Sequence, residues 1–305
     1  MIFLTVLVAY LLIRWWGSAV PLHHDQWFHR WCDKVAELEV LRPYPGLVFA
    51  VCLLGPILAL FFITALLVNV SPWLEMLIAV PVVLYSLGRG RFTRVILDYL
   101  DASEAGDWEL AINRYARLIS VSEYVEPEND PEAATSHSYD QNNYEFSEGD
   151  WGGLNRAMFS AVCYRAFERV FAVLLWLILV GPAGALMYRL SALYLESENE
   201  KIDSDVAARW LWALEWPAVR AIGLSFALTG NFANCIKNWQ NYLWDFERSS
   251  EEVIRYYCEG ALSVEDNEHS FDNITSREFK LTLSLFSRTI IFWICGLALG
   301  SVFIN

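Results

Sequence analysis

The sequence predicts an all-α fold: a polytopic integral membrane protein of about five to six transmembrane helices, with helical loops on the cytoplasmic side. Three observations carry the prediction. Of 305 residues, 55% are hydrophobic and only 19% charged, whereas a soluble domain carries about a quarter charged residues. Several uncharged stretches reach or approach the roughly 17–25 residues that a helix needs to cross the hydrocarbon core. Fourteen tryptophans supply the rings that collect at a membrane–water interface.

The elements follow in order. Met1 to Ile13 is apolar, has no charged leading segment and no small-residue cleavage site, and runs into Arg14-Trp15-Trp16. That triplet anchors a helix at an interface, so the segment is expected to remain as a transmembrane helix ending at Trp16. His23, His24, Asp25 and His29 are interleaved with Trp27, Phe28 and Trp31. They predict an interfacial amphipathic helix, because His24 and His29 lack the i,i+4 spacing that sets two imidazoles on one helical face. Gly46 to Val70 is an uncharged span, Val70-Ser71-Pro72 a tight turn, and Trp73 to Gly88 the return arm of a hairpin. Arg91 to Ser122 has helical periodicity with a break at Ala105-Gly106-Asp107.

Glu123 to Asp150 holds nine acidic residues, no Lys or Arg, and two prolines, the composition of a disordered acidic linker. Val170 to Tyr188 is the next uncharged span, with Gly181-Pro182-Ala183-Gly184 near its end. Breakers inside such a span require neighbouring helices or polar groups to satisfy the freed backbone. Ala221 to Ile236 is uncharged but carries Asn231 and Asn234. Leu243 to Arg288 is amphipathic and helical, interrupted around Ser263 to Ser276, and Thr289 to Asn305 is a short last span.

Three regions result. Residues 1–88 form an N-terminal transmembrane helix and a helical hairpin. Residues 89–169 form a cytoplasmic loop, helical over 91–122 and acidic over 123–150, and residues 170–305 form a second membrane region. Lys and Arg at the span ends set the orientation. Arg89, Arg91 and Arg94 mark one end of the central loop and Arg165 and Arg169 the other, which places it in the cytoplasm. If Ala221 to Ile236 crosses, about six crossings with both termini outside satisfy the positive-inside rule throughout. The alternative is a re-entrant Val170 to Tyr188, folded about Gly181-Pro182, which keeps Tyr188 to Glu215 on the cytoplasmic side.

A net charge of −14 argues against a nucleic-acid partner, which needs a basic face. No phosphate-cradling glycine loop and no Gly-x-Ser-x-Gly elbow appear. The six cysteines show no metal spacing, so they read as reduced and structural, and no metal or cofactor is expected. What stands out is a set of ionisable residues beside apolar segments: Arg165, Glu168 and Arg169 before the Val170 span, Tyr188 and Arg189 after its Gly-Pro break, then Glu196, Glu215 and Arg220. Ionisable groups there are costly and tend to be paired and functional; the plainer reading is a set of interhelical ion pairs locking the bundle. Arg165 and Glu168 fall one turn apart on one face. Arg189 is expected to snorkel or to meet an anion, with Glu168, Glu196 and Glu215 as its internal partners and a lipid phosphate as an external one.

Gly-Pro-x-Gly-Ala-x-x-Tyr-Arg over 181–189, followed about thirty residues later by the acidic-Trp-Pro-x-x-Arg segment at Glu215, Trp216, Pro217 and Arg220, resembles the AmpE family of inner-membrane proteins. AmpE is in turn related to CobD/CbiB, the membrane synthases that join an aminopropanol group to a corrinoid carboxylate. The likeness covers most of the chain, from the Trp-rich first helix through the hairpin and the acidic loop. It departs where the synthases keep carboxylates. Their Glu-Asn-Thr-x-Asp-Gly run is replaced around Tyr164, Arg165 and Ala166, leaving Glu168 with Arg169. Their Asn-Thr-Leu-Asp-Ser-Met run becomes Ala192-Leu193-Tyr194-Leu195-Glu196-Ser197, and their paired aspartates fall near Leu211 and Trp212. Metal-assisted activation of a carboxylate needs several such ligands. The resemblance therefore implies a multi-pass protein of the bacterial inner membrane acting in regulation or signalling, connected to cell-wall sensing and β-lactamase induction, in contact with the bilayer and with another membrane or cytoplasmic regulatory protein. The competing readings are a membrane-bound amide-forming synthase and, more weakly, a transporter.

Overall fold

Apolar runs set the helices of this chain, and Gly, Pro and short polar residues set their ends. The computed structural model describes residues 2–16, 25–38, 43–87, 92–119, 146–147, 149–196, 204–262, 274 and 276–304. Among them there is no strand. The helices are α1 (Ile2–Trp16), α2 (Gln26–Ala36), α3 (Pro45–Val70), α4 (Pro72–Ser86), α5 (Phe92–Ala105), α6 (Trp108–Ile119) and α7 (Trp151–Ala166). A π-helical turn (Phe167–Ala172) leads into α8 (Val173–Val180), α9 (Pro182–Glu196), α10 (Ser204–Thr229), α11 (Phe232–Tyr242), α12 (Ser250–Leu262) and α13 (Ser276–Ile304).

The ends have local causes. Pro72 opens α4 where its missing N–H costs nothing, and the Ser71 hydroxyl accepts from Trp73 N. Gly106, at φ +72°, separates α5 from α6, and the Asp107 carboxylate takes the Leu110 N–H that α6 leaves unpaired. The predicted hairpin turn at Val70-Ser71-Pro72 and the break at Ala105-Gly106-Asp107 both stand where the sequence places them. Most of the acidic linker over Glu123 to Asp150, together with His23 and His24, lies outside the described residues.

Gly46–Leu67 and Ser276–Ser301 are long and apolar enough to cross a membrane, while Phe3–Leu12 and Trp73–Ser86 are apolar but shorter. These helices turn large apolar side chains outward, among them Phe62, Leu66, Leu77 and Phe303, a surface of the kind that marks a membrane or partner contact. The last of the predicted spans begins earlier than Thr289. Its N-terminal turns carry Arg277, Lys280 and Arg288 exposed on one side, while Phe279, Leu285 and Phe286 are buried on the other. The charges that bounded the predicted span occupy the exposed face of a continuous helix.

Two predicted spans are not single helices. Val170 to Tyr188 is cut at Gly181, whose φ of +84° and ψ of −163° stop α8, and Pro182 starts α9. The two arms then lie against each other. Trp176 and Gly184 are eight positions apart, about 12 Å along a continuous helix, yet a Cβ on Gly184 would collide with the Trp176 carbonyl. Ala221 to Ile236 is likewise cut at Gly230-Asn231. Asn231 caps α11 through Asn234 N, and its own N–H donates to the Ala261 carbonyl at 2.8 Å. Cys235 Sγ then faces the Gly223 carbonyl, and the Trp239 indole donates to the Arg220 carbonyl at 2.9 Å, the pairings of a hairpin. The α8–α9 and α10–α11 pairs each fold back, as in the re-entrant alternative for the first of them.

The core has two parts. The larger joins α1 and α4 to α13 around Phe159, Phe167, Phe171, Phe226 and Phe279. Phe171 meets Phe226, Phe286 and Trp293 edge-on within about 6 Å, the aromatic geometry that adds to plain burial. The smaller part packs α2, α3 and the end of α4 against α9, with Phe49 edge-on to Tyr194 at 4.9 Å. Leu60 and Ala183 belong to that same cluster.

Candidate functional site

Folding the chain back at Gly181 decides which polar residues meet. It returns Tyr188 toward α7 and the π-helical turn, and α10 passes across both. Glu215, one of three acidic residues carried by α9 and α10 together, is buried at 4% exposure. Its Oε1 accepts from the Tyr164 hydroxyl at 2.9 Å and from the Tyr188 hydroxyl at 3.2 Å, and Ser250 at the start of α12 adds a further hydrogen bond. Burial pushes the Glu215 carboxyl up to about 7; the Ser250 and Tyr164 hydroxyls pull the other way, and nearby Glu168 pushes up again. Burial likewise raises the Tyr164 phenol well above its ordinary value, with Glu215 adding to the effect.

Glu168, also buried, is held differently. Arg165 Nη1 donates to its Oε2 at 2.6 Å, as the spacing of the two residues predicts. The rest of that guanidinium donates to the last carbonyls of α6, Nε to Leu118 O at 3.2 Å and Nη2 to Ile119 O at 2.6 Å. Arg165 therefore closes the C-terminal end of α6 and balances Glu168 at once, with cation and helix dipole in the favourable sense.

The remaining predicted residues go elsewhere. Arg189, expected beside Glu168, Glu196 or Glu215, instead sends its Nη2 to Asp25 Oδ2 at 3.3 Å, at the start of α2. Asp25 belongs to the sequence's histidine cluster, and Tyr85 and Trp27 stand beside it, the indole donating to the phenol at 3.1 Å. Arg220 spends its guanidinium on the carbonyls of Tyr242, Leu243 and Asp245 while lying 4.8 Å over the Trp216 ring; it closes the end of α11. Arg169 lines a separate cavity. The Glu196 side chain lies outside the described residues. Sequence reasoning missed Ser250 and Asp25 as members of these clusters. Tyr164 had a usable signal, since it lies four positions before Glu168 and so on the same helical face.

Among the described residues no group of three His, Cys, Asp or Glu side chains stands close enough to hold a metal ion. All six cysteines are free, five of them buried. The site is thus a buried polar knot: one ion pair, and one carboxyl under two phenols and a serine. Compared with known proteins, the chain matches no family model, no curated protein and no solved structure.

Proposed function

We propose that this chain is a multi-pass protein of the bacterial inner membrane, of the AmpE type, acting in regulation or signalling on a CobD/CbiB-like scaffold that has lost the synthase chemistry. One observation carries the proposal. The two retained carboxylates are engaged within the protein, Glu168 by Arg165 and Glu215 by Tyr164, Tyr188 and Ser250. A metal-assisted transfer to a substrate carboxylate needs ligands that stay open to metal and substrate. The crossings in this reading are α1, α3, α4 and α13, with the α8–α9 and α10–α11 hairpins entering from the cytoplasmic side. The arrangement satisfies the positive-inside rule, because Arg94, Arg165, Arg169, Lys237, Arg248 and Arg255 then share one side.

The experiment removes the gene and measures β-lactamase activity with and without an inducing antibiotic. Altered induction, restored by the wild-type copy, is the expected result; unchanged induction sinks the regulatory reading. A synthase reading has one feature in its favour, a Glu215 carboxyl that burial pushes up to about 7, the range where general acid–base catalysis works best. Its test is separate: the purified protein, given a corrinoid carboxylate, aminopropanol phosphate and a nucleotide, would have to form the amide.

A further inference from the structure

A cavity of about 350 Å³ lies between α1, α4, the π-helical turn, α8 and α13, and none of Tyr164, Tyr188, Glu215 and Ser250 lines it. Its volume falls within the roughly 300–1,000 Å³ of ligand pockets. The charged residues of its lining are Arg165 and Arg169, and both are already engaged. Arg165 is spent on Glu168 and on the carbonyls of Leu118 and Ile119, and Arg169 has an interaction of its own within the protein. The space therefore calls for no ion. What remains for a ligand is apolar wall, relieved only by uncharged Tyr10, Thr93 and Ser287. Water fills such a space poorly, because each molecule needs several polar partners.

The wall is elongated. Leu283, Phe286, Ile290 and Ile294 of α13 all line it, at spacings of three, four and four positions that keep them on one helical face. Eleven positions of helix rise about 16 Å. An extended chain covers about 3.6 Å in three bonds, so roughly a dozen carbons match that length. The wall also adjoins an outward surface. Ile290 and Ile294 are half-buried, while Ile291 and Phe292 between them are 52% and 43% exposed, within the stretch long and apolar enough to cross a membrane. A chain lying in bilayer hydrocarbon thus has a sideways route into the cavity. The π-helical turn, a distortion concentrated at functional sites, supplies Val170 and Phe171 to the lining. We infer that this cavity holds one hydrocarbon chain of a lipid with an uncharged head, the chain lying along Leu174, Phe286, Ile290 and Ile294. The inference rests on the membrane placement proposed above and is independent of the regulatory role.

The test is photolabelling of the full chain in phosphatidylcholine nanodiscs with dodecanol carrying a terminal diazirine, followed by peptide mapping. Adducts are expected on the peptide holding Phe171 and Leu174, which at 1% and 5% exposure are shielded from bilayer lipid, and excess unlabelled dodecanol should suppress them. The outward α3 residues Phe62 and Leu66 should be labelled without saturation, as an internal control. Leu174→Trp and Ile294→Trp narrow the cavity, and each should lower the Phe171–Leu174 adduct about tenfold or more while leaving the α3 adduct unchanged. Ile294 is only half-buried, so that variant decides the matter if Leu174→Trp does not accumulate. Adducts on α3 with none at Phe171–Leu174 would overturn the inference and leave the membrane placement standing, as would equal labelling of the wild type and Ile294→Trp. Stronger suppression by dodecyl phosphate than by dodecanol would overturn the uncharged head. No adduct on either peptide would remove the membrane placement and the inference together.

Discussion

Glu215 is a carboxyl whose charge the fold resists. Its folded value of about 7 lies above the ordinary 4.5, so its contribution to stability is fully present below about 4.5 and is lost as pH rises through about 7. The melting midpoint of the wild type should therefore fall between pH 5 and pH 8, and that of Glu215→Gln should fall less; parallel curves in a thermal-unfolding series would refute the assignment. Arg189 and Asp25 make the second residue-scale prediction. The pair is largely buried, with 12% and 18% of the side chains exposed, and removing one partner of a buried pair costs about 3–5 kcal/mol, less where water still reaches it. Arg189→Ala and Asp25→Asn should each destabilise, the double variant hardly more than either, and Arg189→Lys less than Arg189→Ala. Additive losses in a double-mutant cycle would show that the two residues do not act as a pair. At this scale the sequence was half legible. The spacing of Arg165 and Glu168 lies within one helix and can be read directly. The meetings of Glu215 with Tyr188 and of Arg189 with Asp25 join different helices, and nothing local in either partner specifies the other.

At the scale of elements, the Gly-Pro break was legible and its consequence was not. Gly181 and Pro182 announce that the helix is interrupted, but a kink and a full reversal share those residues. The reversal rests on Gly184, whose missing Cβ lets α9 lie on the Trp176 carbonyl. Asn231 is similar: it looks like a polar flaw in a span until it is seen as the cap of a new helix. Gly181 has a backbone conformation essentially confined to glycine, so Gly181→Ala should cost on the order of 1–3 kcal/mol. Its effect should appear as a lowered melting midpoint and faster proteolysis; an unchanged midpoint would mean that the turn relaxes without strain.

For the whole molecule, the topology proposed above makes the hairpins decide which side of the membrane each loop occupies. In a six-crossing chain Ser197 and Ser136 face opposite sides, whereas with α8–α9 folded back they face the same one. In a Cys295→Ser background, cysteines placed at Ser136 and at Ser197 should both escape a membrane-impermeant thiol reagent in intact cells and both react after lysis. Labelling of Ser197→Cys alone in intact cells would restore the six-crossing arrangement. Composition made the helical class legible at once, and α3 and its turn could be drawn from the sequence. The number of crossings could not, because an apolar stretch that reverses inside the protein has the same composition as one that passes through.

The contact between Asp25 and Arg189 also sets a clock. The two residues are 164 positions apart, and at synthesis rates of about 5–20 residues per second the ribosome needs roughly 10–30 s to deliver one to the other. Throughout that interval α2 has α3 to pack against, but the Asp25 carboxylate lacks the guanidinium it meets in the finished fold. The finished architecture is therefore assembled backwards in one respect: an early segment is secured by a late one.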